Sequence, residues 1–339
     1  MKAWRLHEKG VLTLDELPVQ TVGESCVKFK TLAAGLSLTD LLMYEDKVHI
    51  GSEPHIVGRQ CVGLVTEVGE AVSGFARGDR VAVDPFVPCK SCPPCKAGKY
   101  DECEKMVCRG VDDDGFMSDF NVVSSSMIYK IPERIKDSDA VMIEYVALGI
   151  NTVNKLHLDK GEYIVIVGAN AIGICLAQVA LYNQAVPILV DVDADRLALA
   201  KELGVYYTIN SVESDPVKKI FALTGGRMAE TVAFINTAQM AFGRCLDYAA
   251  VGGRVALVGW AAASDDLGGN FSGVLRRQLK VVGVNNGAKM FPSAINLLAT
   301  RTVDVSKLIS AEVKFADLQT FVDEHIKEVN RYLKVVVKP

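Results

Sequence analysis

The chain has 339 residues, half of them hydrophobic, and a formal net charge of −4 at pH 7. This length and hydrophobicity predict two domains with large cores and exclude an intrinsically disordered protein. The 37 basic and 41 acidic residues form no basic stripe or charged block, which argues against nucleic acid or an anionic membrane as a partner. The opening MKAWRLHEKG is polar and lacks the apolar segment of a secretory signal.

Residues 1 to about 130 are predicted to be rich in β-strands. Short Val-rich runs such as CVKFKTLAAGL, CVGLVTEVG and DRVAVDPF are separated by glycines and charged turns. The segment IVGRQCVGLV reads as a half-buried strand with Arg59 and Gln60 at its centre. Burying a guanidinium without a partner costs several kcal/mol, so Arg59 is expected to be paired.

Four of the nine cysteines follow the spacing C-x2-C-x2-C-x7-C in the segment CKSCPPCKAGKYDEC. Four thiolates on a short loop can surround one tetrahedral Zn2+, and a site filled by four cysteines is closed to substrate. The alternative is a set of unliganded loop thiols, which would oxidise readily at this density. We therefore predict one structural zinc per chain at Cys89, Cys92, Cys95 and Cys103. An odd number of cysteines with one tight cluster favours a reducing cytoplasm.

Residues from about 150 to 285 alternate between strand-like and helix-like segments, which predicts a parallel, doubly wound sheet. Residues 163–190 carry no charge and are long enough to span a bilayer. Their texture changes from strand-like to helix-like and back, so a buried β-α-β unit explains them better than a membrane span.

The segment VGANAIG follows the first of these strands and resembles the dinucleotide fingerprint G-x-G-x-x-G. Gly168 and Gly173 match its outer glycines, whereas Asn170 replaces the middle one. Asn170 could crowd the pyrophosphate or donate a hydrogen bond to it. Asp191, at the end of the next strand, is expected to bind the adenosine ribose and to favour NAD over NADP. A solvated strand end is the other interpretation of Asp191.

Taken together, these segments resemble the zinc-containing medium-chain dehydrogenase/reductase superfamily, and most closely its polyol (sorbitol-type) dehydrogenases. The resemblance spans essentially the whole chain and rests on the four-cysteine loop and on AAGLSLTDLLMY, PHIVGRQCVGLVTEVG, AVMIEYVALGINTV, DVDADRLALAKELG and GGRVALVG. It implies a GroES-like catalytic domain at 1–146 and 287–339, and a Rossmann nucleotide-binding domain at 147–286. It also implies hydride transfer between an alcohol carbon and NAD, a second, catalytic zinc, and a homodimer or homotetramer.

The chain departs from the family pattern at the catalytic zinc. Ser37 stands in GLSLTD where the family usually has cysteine, and Arg59-Gln60 stand in GRQ where it usually has His-Glu. Of the usual ligands only Glu144 in MIEYVA remains, so the catalytic zinc is predicted to be lost. We predict that Arg59 pairs with Glu144 at the vacated position, with Gln60 and Ser37 completing the hydrogen-bond shell.

The resemblance adds two further roles: Thr39 matches a hydroxyl that relays the substrate proton, and Arg196 matches a residue near the adenosine ribose. The candidate catalytic residues are therefore Ser37, Thr39, Arg59, Gln60 and Glu144. The candidate cofactor-binding residues are Gly168, Asn170, Ile172, Gly173, Asp191 and Arg196.

The predicted function is an NAD-dependent oxidoreductase acting on a small-molecule alcohol, polyol or sugar-derived ketone. Two alternatives stay open. One is a non-catalytic nucleotide-binding or partner subunit, and the other is a zinc-independent reductase of a conjugated C=C bond.

Overall fold

The computed structural model describes residues 1–48, 51–235, 242–259, 271–325 and 331–339. The chain divides into two compact units: unit 1 contains Met1–Glu144 and Leu308–Pro339, and unit 2 contains Tyr145–Lys307. The described strands are β1 (Lys2–Glu8), β2 (Val11–Glu16), β3 (Cys26–Leu36), β4 (His55–Ile56), β5 (Gln60–Val68), β6 (Arg80–Val83), β7 (Phe86–Val87), β8 (Val107–Cys108), β9 (Phe120–Ser124), β10 (Ile128–Lys130), β11 (Tyr163–Val167), β12 (Val186–Asp191), β13 (Tyr207–Asn210), β14 (Ala229–Ile235), β15 (Ala249–Val258), β16 (Lys280–Val284), β17 (Ala311–Lys314) and β18 (Val335–Lys338). The described helices are α1 (Leu38–Tyr44), α2 (Pro93–Lys96), α3 (Asp137–Ala140), α4 (Ile143–Lys155), α5 (Ala171–Tyr182), α6 (Ala194–Glu202), α7 (Pro216–Leu223), α8 (Phe242–Cys245), α9 (Phe271–Arg277), α10 (Phe291–Ala299) and α11 (Leu318–His325).

Unit 1 is built from β-strands, as the Val-rich runs predict. Its largest sheet has the order β10-β6-β5-β3-β18-β17, and β9 also pairs with β3. Smaller sheets are formed by β2-β1-β4 and by β7-β8. Alternate residues of the strands face the core, where Val27, Phe29, Val65 and Val81 are at most 1% exposed. Burial of this apolar face stabilises the sheet and fixes its register.

Strand β3 lies between β5 and β18 and thereby brings two distant parts of the chain together. Gly35 of β3 is opposite Gln60 on β5 and opposite Val336 on β18. The predicted strand through IVGRQCVGLV is interrupted, because β4 ends at Ile56 and β5 begins at Gln60. Arg59 therefore lies directly before a strand and not at its centre.

Unit 2 is the predicted doubly wound fold. Its six strands are parallel and follow the order β13-β12-β11-β14-β15-β16. The central strands are largely apolar, with Val165, Ile188, Val232 and Val255 fully buried, as expected for a sheet covered on both faces. The chain adds β12 and β13 on one side of β11, and then β14, β15 and β16 on its other side, so the strand order reverses beside β11. Helix α5 is the next element after β11. The carboxyl end of β11 is where such a sheet binds a dinucleotide.

The second boundary between the units lies after Lys307 and not after residue 286, where the sequence places it. Residues of this stretch are attached to unit 2 by specific contacts. Gln178 exchanges two hydrogen bonds with the Asp304 backbone at 2.7 and 3.0 Å. Helix α10 is therefore part of unit 2. Within the described residues, no helix combines the length and apolarity that a membrane crossing requires.

Candidate active site and zinc site

The four-cysteine loop is folded as a ligand cluster. The sulfur atoms of Cys89, Cys92, Cys95 and Cys103 all lie within 4.8 Å of one another. Backbone N–H groups point at two of the sulfurs: Cys92 donates to the Cys89 sulfur at 3.4 Å, and Cys89 donates to the Cys103 sulfur at 3.2 Å. Hydrogen bonds from Ser91 lower the pKa of Cys89 to about 5, whereas burial raises the pKa of Cys95 to about 12, so it is the geometry of the four sulfurs that indicates a metal. This donor set fits one tetrahedral Zn2+.

A capping box at the start of α1 fixes the segment before β5. The Ser37 hydroxyl donates to the Asp40 carboxylate at 2.5 Å, and the Ser37 backbone N–H donates to the same oxygen at 2.7 Å. The second carboxylate oxygen of Asp40 accepts from the Gly58 N–H at 2.9 Å. Asp40 therefore holds the residue that precedes Arg59, and the pattern Ser-x-x-Asp at the start of a helix is the sequence signal for this contact.

Arg59 and Glu144 form the predicted ion pair. Nη1 of Arg59 lies 3.5 Å from Oε1 of Glu144, and the two side chains are 4% and 5% exposed. Glu144 lies in the first turn of α4. The Gln60 side-chain amide donates to Oε2 of Glu144, so Gln60 completes the shell as predicted. Ser37 does not take the predicted place, because its hydroxyl donates to Asp40. Thr39 is buried in the first turn of α1.

Lys334, which the sequence analysis does not single out, is the second cation of the site. It directly precedes β18, is 2% exposed and donates from its ammonium to the Gln60 side-chain carbonyl. Burial lowers the pKa of Lys334 to about 8, against the attraction of Asp40 and Glu144. Only a lysine in front of the apolar run VVV marks this residue in the sequence.

The charges of the Arg59–Glu144 pair influence the pKa of two further groups of unit 1. Burial raises the pKa of the Cys108 thiol to about 12, although the positive charge of Arg59 acts in the opposite direction. Desolvation raises the pKa of Asp84 to about 7, and the negative charge of Glu144 adds to the rise. The site thus contains two cations, several carboxyl groups and a thiol.

In unit 2, Asn170 is the N-cap of α5. Its side-chain oxygen accepts a hydrogen bond from the Gly173 N–H at 3.0 Å, and its φ of −78° does not require glycine. Gly173 permits close approach of the strand and helix, because a Cβ there would lie 1.8 Å from the Gly168 carbonyl oxygen. Asn170 thus uses an N–H that a helix of this kind otherwise offers to a pyrophosphate.

Asp191 is a buried part of the loop structure and not a solvated strand end. It is 6% exposed, and its carboxylate accepts from the backbone N–H groups of Ala169, Val192 and Asp193 at 2.5, 2.7 and 2.9 Å. An ionised carboxylate has about four acceptor positions, which leaves capacity for one ribose hydroxyl. Asp191 therefore joins the fingerprint loop to the end of the neighbouring strand.

The other two candidates also lie near these loops. Arg196 is in α6, where its Nε lies 3.4 Å from a carboxylate oxygen of Asp193, the N-cap of that helix. Ile172 is partly buried in the first turn of α5. Unit 2 accordingly places all six candidate cofactor-binding residues at β11, β12 and the helices that follow them.

A β-rich unit with a four-cysteine loop and a unit with the Rossmann strand order together define a class of nucleotide-linked dehydrogenases. The alcohol dehydrogenase GroES-like domain family matches residues 23–133, and the zinc-binding dehydrogenase family matches residues 171–300. An uncharacterized zinc-type alcohol dehydrogenase-like protein of Haemophilus influenzae is 31% identical, with 99% of this chain and 98% of the relative covered.

Two further comparisons agree. Sorbitol dehydrogenase of Bacillus subtilis is 27% identical over 100% of this chain and 97% of that protein. The structure of a short chain alcohol dehydrogenase from Escherichia coli CFT073, complexed with NADH, has a TM-score of 0.88 and 27% identity and covers 100% of this chain and 99% of its own. The chain therefore belongs to the zinc-type medium-chain alcohol dehydrogenase superfamily, and its class of activity is that of an oxidoreductase.

Proposed function

We propose that the protein is an NAD(H)-dependent oxidoreductase that interconverts a small alcohol or polyol and the corresponding ketone, retains a structural zinc and works without a catalytic zinc. The observation that carries this proposal is the ion pair of Arg59 with Glu144. The family resemblance implies that these two residues stand where catalytic metal ligands are usual. Cys89, Cys92, Cys95 and Cys103 would hold the structural zinc.

The residues around Glu144 do not fit a catalytic zinc. Ser37 uses its hydroxyl on Asp40, and Gln60 offers its amide N–H to Glu144. Two side-chain cations, Arg59 and Lys334, lie in the same cluster, so a dication there would meet repulsion in addition to losing ligands. No step of the reaction is therefore assigned to a metal.

The chain's own residues supply a different electrophile. A guanidinium carries five donors in one plane, so Arg59 can contact Glu144 and a substrate carbonyl oxygen together. Hydrogen-bond donors that are held in place before the reaction stabilise a developing oxyanion. Bound NAD(H) supplies or accepts the hydride. Thr39 is proposed to pass the proton of the hydroxyl group, as the family resemblance implies.

Support for NAD rather than NADP comes from Asp191. Its carboxylate lies at the end of β12 and would repel a 2′-phosphate while accepting from a 2′-hydroxyl. The relative from Escherichia coli CFT073 was solved with NADH, which agrees with this preference.

One observation favours the non-catalytic alternative. Arg59 and Glu144 are 4% and 5% exposed, as expected for a pair that only fills the former metal position. A protein of that kind would bind a nicotinamide nucleotide without turning over a substrate.

The experiment that separates these functions combines binding, metal content and turnover. NADH binding is measured by fluorescence, zinc by elemental analysis after dialysis against a chelator, and turnover with a panel of polyols and sugar-derived ketones. We expect NADH binding, one zinc per chain and turnover that persists after dialysis. Binding without turnover would favour the non-catalytic subunit, two zinc ions per chain would show a catalytic metal, and failure to bind nicotinamide nucleotides would overturn the proposal.

Matched arginine variants show whether turnover depends on the site. Arg59→Lys keeps the charge but loses the planar fork, so we expect lower turnover with most of the stability retained. Arg77→Ala removes an exposed arginine of the same unit and should leave turnover unchanged.

We also propose a homo-oligomer that is formed through β16. This strand is the last in the order of the six-stranded sheet. Its Val281 is 41% exposed, and Leu275 in the preceding helix α9 is 78% exposed. An exposed apolar sheet edge pairs readily with another copy. Sedimentation should give at least twice the 36.7 kDa mass of the chain, and Val281→Lys should lower it. A monomer at micromolar concentration would contradict this proposal.

A further inference from the structure

Lys334 reaches the site through a gap that one glycine leaves in the sheet. A Cβ on Gly35 would lie 2.5 Å from the side-chain oxygen of Gln60 and 2.6 Å from the Lys334 nitrogen. Gly35 is on β3. This strand lies between β5, which carries Gln60, and β18, which follows Lys334. Glycine at position 35 therefore leaves the room in which the ends of the Lys334 and Gln60 side chains meet, and a side chain there would displace them.

The chemistry of the groups fixes the direction of each hydrogen bond. An ammonium can only donate, so Lys334 turns the Gln60 carbonyl oxygen toward itself. The Gln60 NH2 group then faces Glu144 and donates to one of its oxygens, while the other oxygen lies 3.5 Å from Arg59. The result is an ordered series of contacts: Lys334, Gln60, Glu144, Arg59.

We propose that Lys334 is a positioning residue for the Arg59–Glu144 pair and that it acts through the side-chain amide of Gln60. This inference deepens the proposed function, on which its catalytic part rests. It also explains why position 60 carries an amide: a carboxylate would accept from Lys334 but would face Glu144 with a second negative charge. The amide is the group that can accept on one side and donate on the other.

A reciprocal exchange of the amide and the carboxylate tests the series without any substrate. Gln60→Glu places two carboxylates against each other. Glu144→Gln leaves one amide oxygen for two donors, Gln60 and Arg59. The double variant restores the hydrogen bonds of the series, because the carboxylate introduced at position 60 would accept from Lys334 and from the amide introduced at position 144, whose oxygen accepts from Arg59. The negative charge is kept and moves from the side of Arg59 to the side of Lys334.

Thermal unfolding is the measurement for this exchange. Each single variant should lower Tm by about 4 °C or more, and the double variant should come within about 2 °C of wild type, since contacts in one network are not additive. A double variant whose loss equals the sum of the two single losses would overturn the proposed series.

Turnover then separates a positioning role from a structural one. At saturating NADH, Lys334→Met should lower kcat at least tenfold on a substrate from the panel, and Lys334→Arg should restore part of it. The exposed Lys307, which pairs with Glu202, provides the control: Lys307→Met should leave kcat unchanged.

The pH profile gives a second, independent readout. Lys334 faces Asp40 on α1, Glu144 on α4 and Arg59 before β5, and its pKa of about 8 predicts that wild-type kcat falls above that pH. The Lys334→Arg variant keeps its charge and should lose this fall. Unchanged kcat in Lys334→Met would overturn the positioning role, whereas absence of turnover in the wild type would contradict the proposed function and leave the thermal test decisive for the series.

Discussion

The removal of Arg59 is the perturbation that tests the site most directly. Arg59→Ala leaves Glu144 as a buried anion, since its side chain is only 5% exposed. Breaking a buried ion pair by removing one partner costs about 3–5 kcal/mol. Glu144 keeps its hydrogen bond from Gln60, and the Arg59 distance of 3.5 Å is longer than that of an ideal charged hydrogen bond, so we expect a loss near the lower limit, about 3 kcal/mol.

The assay is urea unfolding followed by circular dichroism, with the wild type and Arg77→Ala as references. A second change identifies the cause of the loss. Glu144→Gln in the Arg59→Ala background removes the unpaired charge and should recover at least half of the lost free energy of unfolding. If Arg59→Ala costs less than about 1 kcal/mol, or if Glu144→Gln recovers nothing, the reasoning from an unpaired buried anion is refuted.

Three further predictions concern other parts of the chain. Elemental analysis should find one zinc per chain in the wild type. Cys92→Ser should lose this zinc and have a lower Tm, because a structural zinc contributes directly to folding. Retention of one full zinc equivalent in this variant would place the metal elsewhere. Asn170→Gly frees the Gly173 N–H for the pyrophosphate and should tighten NADH binding about threefold in a fluorescence titration. This factor corresponds to a hydrogen bond worth under about 1 kcal/mol. Weaker binding would mean that Asn170 itself holds the phosphates. The raised pKa of Asp84, about 7, means that the folded protein keeps a proton that the unfolded chain releases near pH 4. Wild-type stability should therefore fall relative to Asp84→Asn as pH rises from about 4 to 7, by about 2 kcal/mol for this partly buried group, whereas parallel pH profiles would contradict the assignment.

The sequence is informative wherever a local pattern has one structural solution. The cysteine spacing and the alternation of strands and helices in unit 2 follow from residues at short spacing. The pairing of Arg59 with Glu144 has no such local pattern, and its prediction rests on the family resemblance, which places both residues at one former metal site. Asn170 was visible as a departure from the fingerprint, but its role as an N-cap depends on the backbone angles of the loop, which the letters do not give.

The features that sequence reasoning missed depend on contacts between distant segments. Lys334 and Gln60 are 274 positions apart in the chain and meet across β3, where Gly35 leaves room for both side chains. The boundary after Lys307 depends in the same way on the contacts of Gln178 with Asp304. Hydrophobic periodicity carries no information about either pairing.

The placement of β18 has a consequence for synthesis. Unit 1 begins the chain, but the strand that fills the space between β3 and β17 follows the whole of unit 2 in sequence. On the ribosome, unit 2 has all of its residues available while the end of β3 from Ala34 to Leu36 still lacks its partner β18 and Gln60 still lacks Lys334. The order of emergence therefore delays completion of the polar site until translation has passed the nucleotide-binding unit, and exposes an open sheet edge to other chains in the interval.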